Sequence, residues 1–157
     1  MKTVVAIALL TAVGAASAQA PYVAANAPPD KLTHIAGQQL SDFDLAIKPY
    51  VEQARSSYPA AKQRFEAGLP RGQSFFITTR IFETPTRFEQ VFVAVQRIED
   101  GMVYGRVWSD IRLLTKYRQG DYYTFPESDM IDWLITQPDG SEEGNYVGKF
   151  LDTYQAQ

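Results

Sequence analysis

Acidic side chains are the main candidates for acid–base chemistry, because the chain has no Cys and its one His lies near the N-terminus. Hydrolysis of a glycosidic bond needs two carboxyl groups flanking a cleft, one of them with a raised pKa. The acids at predicted strand ends and turns are Glu89, Asp110, Asp121, Asp129 and Asp132. Alternatively, acids at such positions accept hydrogen bonds from nearby backbone N–H groups. We expect this turn role, and no catalytic residue is assigned.

A second group of oxygen-bearing side chains surrounds Gly140 and Gly144. Its members are Asp139, Ser141, Glu142, Glu143 and Asn145. Calcium takes about six to eight oxygens, but the spacing does not match an EF-hand. Negative charge just before the predicted terminal helix is also favoured by the positive end of that helix. We expect capping here and assign no metal, with calcium as the alternative.

Large rings and arginines are dense between positions 104 and 133. Rings bury area efficiently in a small domain without Cys, so most of them are expected in the core. Tyr122 and Tyr123 are adjacent in a predicted strand and must point to opposite faces, so at least one is exposed. Exposed aromatic residues with arginines between them are typical of surfaces that bind peptides, proteins or glycans. The predicted binding surface comprises Tyr104, Arg106, Trp108, Arg112, Tyr122 and Tyr123.

Composition excludes several other classes of function. The 157 residues include 15 Lys+Arg and 18 Asp+Glu, for a net charge of −3 without a basic cluster, which argues against nucleic-acid binding. The lack of Cys removes disulfides, thiol catalysis and thiolate zinc sites. No phosphate-binding loop or nucleophile motif occurs, and nothing selects a cofactor.

The N-terminus has the pattern of a cleavable signal peptide. Lys2 supplies the positive end, residues 4–14 carry no charge, and Ala16-Ser17-Ala18 is the small-x-small pattern that signal peptidase accepts. The apolar run is too short to span ~30 Å of hydrocarbon. We therefore predict residues 1–18 as a signal peptide cut between Ala18 and Gln19. The mature protein would be periplasmic or secreted, without stable membrane insertion.

Residues 19–40 are rich in Pro and Ala and hold few large apolar groups. Such a segment buries too little surface to offset its ordering entropy, so we expect a flexible tether. His34 lies in it and is expected to be solvated. Residues 41–157 then form a single domain.

Helical spacing begins at Ser41, which has a capping-box relation to Asp44. Phe43, Ile47, Val51, Ala54 and Tyr58 then recur at helical intervals. Because proline disrupts helix interiors, we predict that this helix ends before Pro59 and that a second covers about residues 59–67.

After these helices the spacing of apolar residues becomes strand-like, and this order of elements predicts an α+β fold. A small antiparallel β-sheet would carry the N-terminal helices and a short C-terminal helix, about residues 146–154, packed on it. Residues 130–135 form either a short buried strand or a helical turn. The other predicted strands are 74–82, 90–98, 102–108, 112–117 and 122–125.

Several short sequence segments occur in a recognisable order. They are Ala54-Arg55, Phe65, Glu89-Gln90-Val91-Phe92-Val93, Gly105-Arg106-Val107, Gly120-Asp121 and Ile131-Asp132-Trp133. Over about residues 50–152 the chain resembles the YegJ-like family, a bacterial domain of unknown function found alone in small proteins or attached to larger ones. The family often has Trp soon after the strand acid, where this chain has Phe92, so no ligand role is transferred to that ring. The resemblance implies a domain boundary, with Glu89, Gly105, Gly120, Asp121, Asp132 and Trp133 as family-like positions, and no established activity.

These observations favour a non-catalytic binding or interaction module of the periplasm. Its partner would be a protein, peptide or glycan of the cell envelope. The alternatives are a small envelope hydrolase with paired carboxylates and an inhibitor or immunity-type protein that binds another protein.

Overall fold

The computed structural model describes residues 38–153. The predicted signal peptide, most of the predicted tether and His34 lie outside the described residues. Within that range the chain forms two α-helices, a short 3-10 helix at Glu127–Asp129 and one six-stranded antiparallel sheet, which confirms the α+β prediction. The elements are α1 Gln38–Glu66, β1 Ser74–Thr84, β2 Arg87–Glu99, β3 Met102–Val107, β4 Tyr122–Pro126, β5 Asp132–Thr136, β6 Glu142–Gly144 and α2 Tyr146–Thr153.

Helix α1 is continuous through both of its prolines, so the prediction of two helices divided at Pro59 is wrong. A proline removes one backbone donor and crowds the carbonyl four residues earlier. Pro49 and Pro59 are both exposed, as are Leu45 and Arg55, whose carbonyls lose their partners. Because these positions face water, solvent can replace the missing hydrogen bonds while the opposite side of the helix stays packed.

The start of α1 also differs from the prediction. The helix begins at Gln38, so Ser41 lies inside it and not at the N-cap position that the prediction gave it. Asp44 instead binds the Arg80 guanidinium on β1. The buried apolar positions of α1 are Phe43, Ile47, Ala54, Tyr58 and Ala61.

The sheet has the strand order β4-β3-β2-β1-β5-β6. The predicted turn at Asp100-Gly101 joins β2 to β3, and both residues have positive φ, 51° and 74°. The register of this hairpin shifts between Val95 and Arg97, which marks a β-bulge. Strands β1 to β4 therefore follow one another as hairpin neighbours, and β5 returns to pair with the far side of β1.

Residues 112–117 do not form the predicted strand. Both sides of β3 are already paired, with β2 and β4. Carboxylates bind the backbone donors of this segment instead, since Glu89 accepts from the N–H groups of Arg112 and Leu113, and Glu83 accepts from that of Lys116. Residues 108–121 thus form an anchored loop.

The two faces of the sheet have different surroundings. The inner face carries Phe75, Ile77, Val91, Val93 and Trp133, which form the main core with α1 residues from Ala54 onward. The outer face carries the alternate positions, and its smaller apolar cluster consists of Phe76, Ala94 and Leu134, with Phe92 and Trp108 packed against it. A third cluster joins the first half of α1 to α2, where the Tyr50 and Phe150 rings stack at 4.4 Å.

Candidate functional site

Three residues of the predicted binding surface lie together on the outer face of β3 and β4. Tyr104 and Arg106 occupy alternate positions of β3, and Tyr122 is paired directly with Arg106 across the strands. Tyr122 is 66% exposed, and β4 is an edge strand. The prediction that one of the two adjacent tyrosines is exposed is confirmed.

Arg106 stacks on the ring of Tyr122. Its guanidinium carbon lies 3.7 Å from the centroid of the Tyr122 ring, and its Nη1 donates to the Gly120 carbonyl at 2.8 Å. Its Nε is buried and has no hydrogen-bond partner among the described residues. A cation over a tyrosine ring at this distance contributes about 0.5–1 kcal/mol at an exposed site.

A second stacked pair lies beside the first. The guanidinium carbon of Arg97 is 4.1 Å from the centroid of Tyr104, and Arg97 also pairs with Glu99 at 2.8 Å. The sequence analysis missed Arg97, although counting back from the Asp100-Gly101 turn pairs it with Tyr104. We call Arg97, Tyr104, Arg106 and Tyr122 the arginine–tyrosine surface.

Trp108 lies on the outer face just beyond β3. Its backbone N–H donates to the Phe92 carbonyl at 2.8 Å, and its ring is 5.9 Å from that of Phe76. The ring is half-buried. Trp108 therefore borders both the arginine–tyrosine surface and the outer apolar cluster.

The other two predicted surface residues lie elsewhere. Tyr123 points to the inner face, where its ring contacts those of Tyr117 at 5.8 Å and Phe125 at 5.6 Å. Arg112 belongs to the anchored loop, and its Nε pairs with Asp110 at 3.2 Å. Neither contributes to the arginine–tyrosine surface.

The family-like acids hold backbone groups. Glu89 is buried and accepts from Arg112 at 3.1 Å and from Leu113 at 3.0 Å, so it anchors the loop. Asp121 accepts from the Arg118 N–H at 2.9 Å, as the turn interpretation predicted. Asp110 pairs with Arg112, and the Asp129 carboxylate accepts from the Ser128 hydroxyl at 3.3 Å, so these four carboxylates are engaged in local contacts.

Asp132 is the acid with the most unusual surroundings. It is 1% exposed, and its carboxylate accepts from the Trp133 N–H at 2.8 Å and from the Val147 N–H at 2.6 Å. The second contact caps α2, so Asp132 performs the role that the sequence analysis gave to Glu142 and Glu143. Burial raises the pKa of this carboxyl from 3.8 to about 6, although the backbone donors oppose the rise. The residue couples β5 to α2.

The remaining family-like residues have packing roles. A Cβ on Gly105 would lie 2.4 Å from the Ala94 carbonyl oxygen, so this β3 position has no room for a side chain. Gly120 has φ +91° at the turn before β4. Trp133 donates from its indole nitrogen to the Ala54 carbonyl at 3.0 Å, which joins β5 to α1.

The acidic segment after Pro138 also makes protein contacts. Asp139 accepts from the Ser141 N–H at 2.9 Å and from its hydroxyl at 2.7 Å, and these bonds lower the pKa of Asp139. Glu143 pairs with Arg64 of α1 at 2.6 Å. Glu142 and Glu143 lie in β6, a strand that is absent from the strands predicted from the sequence.

Comparison with protein-family models, with curated proteins and with solved structures finds no match for this chain. Within residues 38–153, no helix is long and apolar enough to cross a membrane.

Proposed function

We propose that this protein is an exported, non-catalytic binding module of the cell envelope and that the arginine–tyrosine surface is its binding site. The observation that carries the proposal is the exposed Tyr122 ring stacked under the Arg106 guanidinium at 3.7 Å. Tyr, Trp and Arg dominate the energetics of protein interfaces, because each combines a large contact area with polar groups. The resemblance to the YegJ-like family stays a prediction beside this proposal.

The chemistry of the surface favours a ligand that carries a carboxylate. A guanidinium presents donors in a planar fork that matches a carboxylate, while a stacked tyrosine offers a flat apolar face. Arg106 and Arg97 place two such groups next to two rings on neighbouring strands. Acidic peptides and the acidic glycopeptides of the cell wall share this combination of carboxylates and apolar faces.

The engagement of Glu89, Asp121 and Asp132 with backbone donors supports binding over hydrolysis. An inhibitor or immunity-type protein could use the same surface against a protein partner. Isolation of one stoichiometric protein complex would distinguish that role from binding of a peptide or glycan.

The test is a titration of the folded protein, followed by NMR or thermal unfolding, with soluble muropeptides in one arm and acidic peptides in the other. A ligand present at about 100 times its Kd raises the free energy of unfolding by about 2.7 kcal/mol. We expect Tyr122→Ala and Arg106→Gln each to weaken binding about tenfold or more, as removal of an interface anchor does.

Arg118→Gln is the matched control, since Arg118 is an exposed arginine in the loop before β4 and no part of the surface. Its affinity should equal that of the unaltered protein. If the control and the Tyr122 variant bind equally well, or if neither ligand class binds, the site assignment is wrong.

A further inference from the structure

The two edges of the sheet differ in how they are protected against pairing with another strand. At one edge, β6 is only three residues long, its Glu142 and Glu143 carry charge, and Glu143 pairs with Arg64 of α1. Short length and charged side chains are common protections of an edge strand. At the other edge, the five residues of β4 carry no charge, and its exposed Tyr122 and Thr124 are of types that favour strands. β4 is therefore the less protected edge.

The hydrogen bonds between β3 and β4 show which backbone groups of β4 point away from the sheet. The Val107 N–H donates to the Asp121 carbonyl at 2.9 Å. Hydrogen-bonded residue pairs alternate along an antiparallel ladder, so Tyr122 and Thr124 direct their N–H and C=O groups outward. In the described part of the chain these outward groups have no partner. Pro126, the next outward position, has a carbonyl but no N–H, so it limits the open edge to two full positions.

This order of donors and acceptors matches an extended polypeptide. Tyr122 and Thr124 each offer one donor and one acceptor, and the two sets are about 7 Å apart along the strand. An added strand repeats its own N–H and C=O groups at the same interval, which is the basis of recognition by strand addition. The hydroxyl groups of a glycan have no such fixed repeat.

Charge identifies the side chain that an added strand would place beside Tyr122. Arg106 belongs to β3, but its guanidinium lies over the Tyr122 ring and donates to the Gly120 carbonyl just before β4. A residue added beside Tyr122 on the outer face would have its Cβ about 5 Å from that of Tyr122, within reach of the guanidinium. Among residues 38–153, Arg106 contacts this ring and this carbonyl and pairs with no carboxylate. A glutamate or aspartate is the complementary residue.

We propose that an extended acidic segment of a peptide or protein pairs with the free edge of β4 as a seventh, antiparallel strand, with its acidic residue beside Tyr122. This inference rests on the proposed function and narrows the ligand of the arginine–tyrosine surface to a polypeptide. Antiparallel pairing is favoured because it forms two hydrogen bonds with each of Tyr122 and Thr124, whereas parallel bonds are slanted and less stable per residue.

The other face of the edge determines the neighbour of that acidic residue. Successive residues of a strand point to opposite faces, so the residue beside Tyr123 would lie on the inner side. There the rings of Tyr123 and Tyr117 contact each other and pack against the main core. An apolar side chain suits this position. The expected ligand therefore alternates apolar residues with polar ones and includes one acid on the polar side.

The test uses a synthetic peptide, Ser-Val-Thr-Val-Glu-Val-Ser-amide, with an N-terminal fluorescein. Fluorescence anisotropy measures its Kd for the whole chain. With Glu beside Tyr122, the N–H groups of its Thr and Glu face β4, whereas those of its Val residues face solvent. N-methylation of Thr and Glu should therefore weaken binding at least about tenfold, because it removes two donors and places methyl groups against the strand. The matched control, N-methylation of the two Val residues that precede them, should change the Kd less than about threefold.

Two substitutions in the protein check the register and the edge. Replacing the peptide Glu by Gln should weaken binding about tenfold in the unaltered protein and less than about twofold in Arg106→Gln, because the charge has then lost its partner. Thr124→Pro removes an outward donor at an edge position that tolerates proline, and it should weaken binding at least about fivefold. Thr124→Val is its matched control, with an unchanged affinity. If Thr124→Pro does not fold, the methylated peptides provide the same readout on the unaltered protein.

The outcomes separate this inference from the proposed function. Equal affinities of the two methylated peptides would overturn strand addition, and the binding surface would stand if Arg106→Gln and Tyr122→Ala still weakened both. Binding of muropeptides but of none of these peptides, with a loss in Tyr122→Ala, would do the same. Peptide binding that neither substitution affects would overturn both proposals. A dimer seen by sedimentation that Thr124→Pro dissociates would place a second copy on β4 and overturn this inference.

Discussion

Replacement of the buried Asp132 carboxyl should have a pH-dependent cost. Two effects compete at this residue: burial disfavours the charged form, while two backbone N–H groups and the start of α2 favour it. The pKa of about 6, against an ordinary 3.8, indicates that burial dominates. The folded state therefore binds a proton more tightly than the unfolded state. The stability that this residue contributes is fully present below pH 3.8 and is lost as the pH rises through about 6.

The magnitude follows from the two pKa values. Each pKa unit corresponds to about 1.4 kcal/mol, so the full effect is about 3 kcal/mol. Asp132→Asn removes the titration but keeps the side-chain size and one acceptor. We expect the loss in free energy of unfolding caused by this substitution to be roughly 2–3 kcal/mol larger at pH 4 than at pH 7.5.

Urea unfolding followed by tryptophan fluorescence measures both proteins at each pH, since Trp133 is buried in the core. Asp110→Asn is the control, because Asp110 is exposed and its replacement should change stability by less than about 0.5 kcal/mol at either pH. A cost of Asp132→Asn that is equal at the two pH values, or larger at pH 7.5, would refute the reasoning. It would show that the backbone donors outweigh the burial of the charge.

Three further substitutions test the architecture. Glu89→Ala should lower the free energy of unfolding by about 2–4 kcal/mol, because it leaves two N–H groups of the 108–121 loop unpaired. Limited proteolysis should then cleave that loop first, and cleavage elsewhere would contradict the anchoring role of Glu89. Gly105→Ala should cost about 3 kcal/mol in urea unfolding, because its Cβ would overlap the Ala94 carbonyl, and a neutral result would mean that β2 and β3 can separate. Trp133→Phe should lower the free energy of unfolding by about 2 kcal/mol, because it removes the indole donor to the Ala54 carbonyl. Amide hydrogen exchange in the middle of α1 should then accelerate. Unchanged exchange there would argue against the link between β5 and α1.

The sequence predicts those parts of the fold that depend on local pattern. The Asp100-Gly101 turn and the alternation of Val91, Val93 and Val95 identify the β2–β3 hairpin, because both signals lie within one short segment. The prolines of α1 mislead because their cost depends on whether the freed carbonyls face water. That is a property of tertiary packing and is absent from the helical pattern.

The candidate site was predictable in part for the same reason. Tyr104, Arg106 and Tyr122 share a face by strand alternation, and the structure brings them together. The sequence could not predict that Asp132 caps α2 or that Arg112 lies in a loop anchored by Glu89, since each contact is made with a partner from a distant element. The cap on α2 joins residues fifteen positions apart, and the loop contact with Glu89 spans twenty-three. Spacing along the chain contains no signal for either.

The short connection after β4 determines the curvature of the whole sheet. In a flat sheet, β4 and β5 would be four strand spacings apart, about 19 Å. Strand pairing places the end of β4, Pro126, level with Glu99 of β2, and the start of β5, Asp132, level with Phe92 of β2. The two ends are therefore also offset by seven residues along β2, about 23 Å. The diagonal would be about 30 Å, yet the chain from Pro126 to Asp132 reaches at most about 20 Å. The sheet must therefore curl toward α1. Two hydrogen bonds of the connection agree with this curvature: the Glu127 N–H donates to the Gly101 carbonyl, and the Thr79 hydroxyl donates to the Asp129 carbonyl. The β-bulge between β2 and β3 is where the hairpin bends. Curling makes the outer face convex, so whatever binds there must wrap around a ridge rather than fill a cleft.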